Sequence, residues 1–558
     1  MRRVGSRGDR LKAETTAIRA VLRNGDIGRL ELGWLAANAG GYAFLVATMV
    51  VAYQAGGPVG IGLLGVVRAV PPALIAPFAG VPSARWRPDR VLTAVNLGRA
   101  IAIGLAFIVL AGGGPPPIVF LLVGIEAGFG GLTRPLTMSL LPWVARSPGE
   151  LVASNIASSA AEGLGTLIGP AIAGVLLGIS GPVGATAGTA VLMAVAALSV
   201  VTVHVPMVRT APVAVGWLGT LTAGTQALAR VPTLRWILTD AWLQTAVRGM
   251  LNVLLVVAAI ERLGMGESGV GTLNAAIGAG GFVGALVALS LTERAVFSST
   301  AAMSLSLWGL PIAVIGIVTN PIVAVAMLGI VGLANAIFDV TLFTLMQRSS
   351  PNEARVGVMG LLDSGVSVSI AVGGLVASAL IASFGVQAAL VAAGAVLPIA
   401  AIVTMPFLRR AESRTLSREA QARLLRADRL LGLLSLSIVE ELAAVMEPVA
   451  FDDGEYVIRE GQAGDQYFIV ASGEVEVSQQ GVAIRRLGPG NGVGEISLLR
   501  DIPRTASIRA VGPVTAFALG RATFLAALTG HGSARSAAET IVGDHLARPA
   551  PTGTGTAR

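Results

Sequence analysis

Near its C-terminal end the chain reads GNGVGEISLLRDIPRTASIRA over residues 490–510. A run of glycines opens onto Gly494, Glu495, Ile496 and Ser497, a short apolar segment follows, and Arg504 arrives with Thr505 and Ala506. These residue types can enclose a small anion. A guanidinium meets a phosphate or carboxylate with two parallel N–H donors, which an ammonium cannot match. A short helix starting near Glu495 would aim free backbone N–H groups at the same anion. The Glu495 carboxylate can accept a hydrogen bond from a hydroxyl on the same ligand.

A second set of charges sits inside apolar runs: Arg68, Glu126, Arg134, Glu162, Asp240, Arg248, Asp339 and Asp363. Each is costly in hydrocarbon and is expected to face a cavity or a partner. Arg134, Asp240 and Asp363 fall near the ends of their runs, where snorkelling or capping accounts for them. Glu126 and Asp339 lie deeper. A buried carboxylate can load and release a proton as a cavity changes sides. The other reading is an ion pair between helices, such as Arg68 with Glu126.

The elements that must position these residues are mostly apolar. Of 558 residues, 54% are hydrophobic and 13% charged, and the mean hydropathy is +0.75. Apolar runs fall at 32–54, 58–80, 91–112, 117–143, 151–178 and 182–205, then at 235–260, 268–291, 297–318, 321–346, 356–384 and 386–408. Each is long enough to cross a bilayer as a helix. The 71 glycines and 28 prolines suit membrane helices better than soluble ones. The absence of cysteine excludes disulfides and thiol chemistry. Three dispersed histidines give no metal-ligand spacing, and no nucleophile–base set points to an enzyme.

The net charge is +8. Its arginines gather in alternate loops (Arg85, Arg87 and Arg90; Arg146; Arg209 and Arg230; Arg294; Arg348 and Arg355; Arg409 and Arg410), whereas AGGP, AGGGPPP, ISGP, VTNP and SFG are short and uncharged. The basic balance therefore reads as membrane orientation, not nucleic-acid binding. The arginine side is cytoplasmic by the positive-inside rule, with both termini there. The loop between runs seven and eight departs from this, carrying Glu261, Arg262 and Glu267. The basic N-terminus leads into a retained span, not a cleaved signal. WVARSPGELVASN and MQRSSPNEARVGVMG echo each other from the two halves, as expected of a repeat-built transporter.

The first 410 residues resemble the major facilitator superfamily, in particular its bacterial drug and siderophore exporters. VLRNGDIGRLELGW before the first run and RPLTMSLLP at the end of the fourth fit that branch. GVPSARWRPDRVL resembles the superfamily's cytoplasmic loop motif through Gly80, Arg85 and Arg90, with Ala84 where the motif has Asp. GTLIGPAIAG resembles the glycine-proline motif of antiporters through Gly165, Gly169, Pro170 and Gly174. The resemblance implies a proton-coupled exporter of an unidentified small molecule. Close helix packing by small residues is the alternative for the last motif.

After Arg410 the character changes. Two helical stretches precede short alternating segments, among them QYFIVASGEVEVSQ, VAIRRLGPG and VTAFALG, with glycine turns between them. From roughly 430 to 530 the glycines, the Gly494-Glu495 pair and the Pro-Arg-Thr-Ala-Ser cassette resemble the cyclic nucleotide-binding domain. That resemblance implies Arg504 on the phosphate, Glu495 on the ribose hydroxyl and Thr505 on phosphate or base, with cAMP and cGMP both open. Val493 and Ser497 depart from the family's usual aromatic and alanine.

The expected molecule is a polytopic α-helical membrane protein, with twelve transmembrane helices in two six-helix halves and a C-terminal α+β domain built on an antiparallel β-roll. Its divisions fall at 1–30 (N-terminal segment), 31–205 (first half), 206–234 (central loop), 235–410 (second half), 411–440 (helical linker), 441–530 (nucleotide domain) and 531–558 (disordered tail). It sits in the cytoplasmic membrane as a multi-pass secondary transporter. Its partners are the lipid bilayer, protons, a small-molecule substrate and a regulatory cyclic nucleotide, and it holds no metal or cofactor. The alternatives are a nucleotide-gated channel, which would need a filter sequence that is not seen, and a membrane-anchored nucleotide-binding scaffold with an inactive transporter half.

Overall fold

A computed structural model of the chain describes residues 24–75, 87–145, 148–203, 225–229, 231–291, 297–350 and 355–529. It divides into two compact units, Met1–Ala411 and Glu412–Arg558.

The first unit is helical because a backbone in hydrocarbon must satisfy its own hydrogen bonds. Its helices are α1 (Gly25–Ile75), α2 (Pro88–Ala111), α3 (Pro116–Val144), α4 (Pro148–Val201), α5 (Pro232–Val257), α6 (Gly266–Leu291), α7 (Phe297–Ile317), α8 (Pro321–Ser349) and α9 (Arg355–Ala427). Five begin with proline, which loses no hydrogen bond in a first turn. The Asn320 side chain caps α8 by accepting from the Ile322 and Val323 amides.

All nine described elements are long and apolar enough to span a membrane. Three of them break inside: α1 at Gly56 and Gly57, α4 at Gly181, α9 at Gly385. Gly57, Gly181 and Gly385 all have positive φ, which a side chain would strain. The breaks fall in the uncharged loops AGGP, ISGP and SFG, so nine elements carry the twelve expected spans. In the first half, α1 packs on α3 and α4, and α2 on the same two helices. In the second half, α8 packs on α6 and α7. The halves join where α4 meets α6 and α1 meets α5.

The second unit begins with the last turns of α9. A 3₁₀ turn (Leu431–Leu433) and α10 (Leu436–Val445) lead into strands β1 (Glu447–Phe451), β2 (Tyr456–Ile458), β3 (Gln466–Gln479), β4 (Val482–Leu487), β5 (Gly492–Val493) and β6 (Ser507–Gly520). Helix α11 (Glu495–Arg500) lies between β5 and β6, and α12 (Arg521–Thr529) follows β6. The strand order is β1-β6-β3-β4, with β2 paired to β6 and β5 to β3, all antiparallel.

The start of β3 is buried on both faces, so it shows no alternation there. Phe468 and Val470 enter a core inside the roll with Val475, Ile508 and Val514. Tyr467 and Ile469 enter a second core built by helices, with Leu425, Leu431, Val439, Leu442 and Phe524. Residues 425–440 read from the sequence as part of a linker. The structure instead places five of their side chains in this second core, because α10 and the 3₁₀ turn cover the outer face of β3.

Candidate functional site

In the helical unit, Glu126 of α3 and Arg99 of α2 are both buried. Nε and Nη2 of Arg99 donate to Glu126 Oε1 at 3.0 and 2.7 Å. Arg68 reaches Glu126 Oε2 at 3.7 Å. The ion pair of Arg68 with Glu126 that the sequence offered as an alternative is therefore present, and Arg99 is a second, nearer partner that the sequence reading did not name. Arg99 is the lone charge within residues 91–112, and that isolation was the available signal.

The other expected charges fall into small separate groups, with Arg134 near Glu162 and Asp363, and Arg248 near Asp339. Arg134 and Glu162 form an exposed pair at 3.8 Å. Asp363 is exposed. Asp240 is not a snorkelling side chain: it is 1% exposed, and neither carboxylate oxygen has a hydrogen-bond partner. The Thr404 hydroxyl beside it donates to the Ala400 carbonyl. Asp339 accepts from Asn335 Nδ2 at 2.9 Å. Asn335 Oδ1 in turn accepts from Gln244 Nε2 at 2.7 Å and Trp308 Nε1 at 3.1 Å. Asn335 is thus a hub between α5, α7 and α8, and as a neutral residue it carries no sequence signal.

Gly165, Gly169 and Gly174 serve contact between helices. A Cβ on Gly165 would lie 2.6 Å from Asn38 Cβ, and one on Gly169 would strike the Ala39 carbonyl oxygen. A Cβ on Gly174 would lie 3.0 Å from Gly271 Cα, across the boundary between the halves. Of the loop motif, Arg90 is exposed near the start of α2, while Gly80 and Arg85 lie outside the described residues.

A cavity of about 420 Å³ draws its lining from both halves. Tyr42, Arg68 and Pro170 come from the first; Arg248, Asn252, Asn274, Trp308 and Asn335 come from the second. Leu45, Met49, Ile61 and Leu64 supply apolar wall. Its size falls in the range of small-molecule sites.

In the second unit, the Gly494-to-Arg504 stretch is drawn together. Gly494, in the left-handed region, precedes α11, and a side chain there would collide with Arg504 Nη1. Arg504 is 6% exposed. Its Nη1 donates to the Gly494 carbonyl and to Ser497 Oγ, both at 2.9 Å, and Nη2 donates to the Gln466 carbonyl at 2.6 Å. A guanidinium has five N–H groups, so these bonds fix its orientation and leave Nε–H and one Nη2–H. Burial lowers the Arg504 pKa, while Asp465 and Glu495 act in the opposite sense. Ser497, the departure from alanine, thus holds the arginine.

Glu495 is buried at the same place. Ile496 and Thr505 are half-buried, and Ala506 packs against the inner core. Helix α11 has only six residues, so the charged side chain carries more of the anion affinity than the helix end does.

A pair that the sequence did not reveal lies beside Glu495. Tyr467 Oη donates to Asp428 Oδ2 at 2.9 Å, and Asp428 Oδ1 accepts from the Leu430 and Leu431 amides at 3.0 and 2.8 Å. Burial raises the Asp428 pKa despite these donors. Burial, then the Asp428 charge, drives Tyr467 well above its ordinary value. Gly492 is required because a side chain there would strike Tyr467 Oη.

With this geometry described, comparison with known proteins decides the family. The Major Facilitator Superfamily profile matches residues 33–355 and 241–451. The chain belongs to the Major Facilitator Superfamily. This facilitator shares its fold with a mutant of the nucleoside transporter NupG: 15% identity, 68% of this chain and 99% of that one covered, and a TM-score of 0.57. Residues 448–531 match the cyclic nucleotide-binding domain. The same region is 37% identical over 91 residues to a cAMP-dependent protein kinase regulatory subunit of Dictyostelium discoideum, covering 15% of the facilitator and 28% of that protein. It is also 37% identical over 84 residues to the cGMP-dependent protein kinase egl-4 of Caenorhabditis briggsae, covering 15% and 11%. The facilitator therefore spans only a small part of these relatives. It is a multi-pass membrane protein in which a transporter fold and a cyclic nucleotide-binding domain share one chain.

Proposed function

We propose that the protein is a secondary active transporter of the cytoplasmic membrane, a proton-coupled exporter of a small molecule, gated by cAMP or cGMP at its C-terminal domain. The observation that carries this reading is the 420 Å³ cavity lined from both halves of a facilitator fold. A cavity so placed can be exposed to either side as the halves rock. Asp339 and Asp240, held on α8 and α5 of the second half, supply carboxylates for proton traffic. The positive loops support the reading that both termini, and so the nucleotide domain, face the cytoplasm.

The nucleotide would bind through its phosphate at Arg504 and its ribose hydroxyl at Glu495. Similarity to both a cAMP- and a cGMP-dependent kinase supports the ligand class without choosing the base. A ligand shifts a two-state equilibrium only by binding one state better than the other. The nucleotide domain must therefore differ between transport states.

The test is proton movement in proteoliposomes of the full chain, with a dye reporting internal pH, with and without each nucleotide. Substrate-dependent proton flux is expected, altered by one nucleotide. Asp339→Asn abolishes that flux while the protein stays folded; full flux with normal pH dependence in this variant sinks proton coupling through Asp339. Arg504→Ala loses at most two charge-assisted hydrogen bonds to the ligand, about 3 kcal/mol or roughly a hundredfold in nucleotide affinity. Unchanged affinity by calorimetry refutes the nucleotide site.

A further inference from the structure

The facilitator cavity has a chemical bias that its fold does not dictate. Among the residues lining it, the charged ones are Arg68 and Arg248, one from each half, and no carboxylate shares the wall. The rest is a mixture of Asn252, Asn274, Tyr42 and apolar side chains including Leu64 and Met49.

Arg68 is left with spare charge. The carboxylate near it among the described residues, Glu126, is held through Oε1 by two hydrogen bonds from Arg99. Two guanidiniums thus face one carboxylate, for a net charge of about +1. Arg68 Nη1 is buried, 3.7 Å from Glu126 Oε2, and has no hydrogen-bond partner. A buried donor in that position is costly to leave unmade.

Arg248 is exposed on the lining of the same cavity. Asp339 is within its electrostatic reach, but that carboxylate is bonded to Asn335 and is not among the lining residues. Asn274 Nδ2 is occupied by the Val270 carbonyl, which fixes the orientation of that amide at the cavity wall.

We propose that the cavity takes a small organic anion, a carboxylate or a comparable oxyanion on an apolar body, bridged by Arg68 of the first half and Arg248 of the second. This rests on the transporter reading and names its substrate class. Guanidinium forks suit an oxyanion, and the apolar wall suits the remainder of the molecule. An anion held from both halves would also oppose the repulsion between the two arginines when the halves close around it.

The experiment uses the full chain purified in a neutral detergent and three matched probe sets. These are benzoate, 2-naphthoate and 4-phenylbutyrate, each beside its primary amide and the corresponding primary amine. Binding is read by calorimetry, and movement is read separately in proteoliposomes. At least one carboxylate is expected to bind ten or more times tighter than its amide, with its amine weaker still. Arg248→Gln, at an exposed position, weakens that carboxylate tenfold or more. Arg68→Gln does the same, and Arg68→Lys restores part of the loss. Arg29→Gln, in an exposed pair with Asp26, changes nothing. Equal or tighter binding of the amides or amines, absence of carboxylate binding throughout, or indifference to Arg248→Gln overturns the proposal. A carboxylate that binds but is never moved keeps the anion site and removes the transporter reading. Movement of an amine unaffected by either arginine change does the reverse.

Discussion

At the scale of single residues, buried charge sets the largest energies. Glu126 is satisfied chiefly by Arg99. Removing one partner of a buried pair costs about 3–5 kcal/mol, since the other is left unpaired. Arg99→Gln is therefore expected to lower the thermal unfolding temperature of the detergent-purified protein by several degrees. Arg68 supplies some compensation, so the loss should fall at the low end. Replacing both Arg99 and Glu126 by Met should recover only part of it, because the apolar pair leaves Arg68 without its carboxylate. In the C-terminal unit, Tyr467→Phe strips the donor from Asp428 Oδ2 and should cost about 1–2 kcal/mol, read in chemical unfolding. The Asp428 pKa is raised by burial, so the folded state holds that proton to a higher pH than the unfolded chain does. Its contribution to stability is full below about pH 4, the ordinary aspartate range. It is lost as pH rises through the higher folded value. Asp428→Asn should flatten this slope in a melting series from pH 4 to 8; an unchanged slope would place the titrating group elsewhere.

At the scale of elements, the glycine-proline motif of α4 is a packing surface. A Cβ on Gly169 strikes backbone, the Ala39 carbonyl oxygen, and backbone cannot rotate aside. One on Gly163 meets only the Phe282 ring, at 3.9 Å, an ordinary contact. Gly169→Ala should therefore push α1 and α4 apart and cost about 1–3 kcal/mol as overpacking, seen as a lower unfolding temperature. Gly163→Ala should be nearly silent. Equal behaviour of the two would remove the steric account. The strands follow a different logic. Tyr467 and Ile469 face one core while Phe468 and Val470 face another, so an apolar-to-polar change at any of the four should destabilise the roll.

At the scale of the whole transporter unit, hydrogen bonds between the halves include three on the side of the uncharged loops. Tyr53 donates to Glu261, Gln54 to Glu267, and Ser378 to the Pro58 carbonyl. This explains why the loop after α5 breaks the charge rule: its two glutamates meet the first half. The π turn Ala258–Arg262 sits at that point, and Arg262 ties it to the Gly316 carbonyl at 2.7 Å. These bonds hold the two halves together on this side. Tyr53→Phe combined with Gln54→Ala should shift the population toward opening there by about 1–3 kcal/mol. Cysteine introduced at Val59, exposed in the present state, offers a poor control, whereas one at the buried Ile61 should gain reactivity toward a water-soluble thiol reagent. No gain at residue 61 would deny these bonds a role in closure.

The sequence alone determined the number of spans, their breaks at uncharged loops, the change of character after Arg410 and the stretch in which Gly494, Glu495 and Arg504 come together. Each of these is local: hydropathy over twenty residues, a turn that needs glycine, a cassette read along one stretch. Tertiary structure alone decided that Arg99 and not Arg68 chiefly answers Glu126, that Asp240 is buried, that Asn335 is a hub, and that Tyr467 pairs with Asp428. In a soluble domain, alternation of apolar and polar residues reports which face is inside. In a membrane helix, lipid and neighbouring helix are equally apolar, so hydropathy does not say which face meets a partner. Where Arg68 and Arg248 point, and that they share one cavity, could be learned only once the helices were packed.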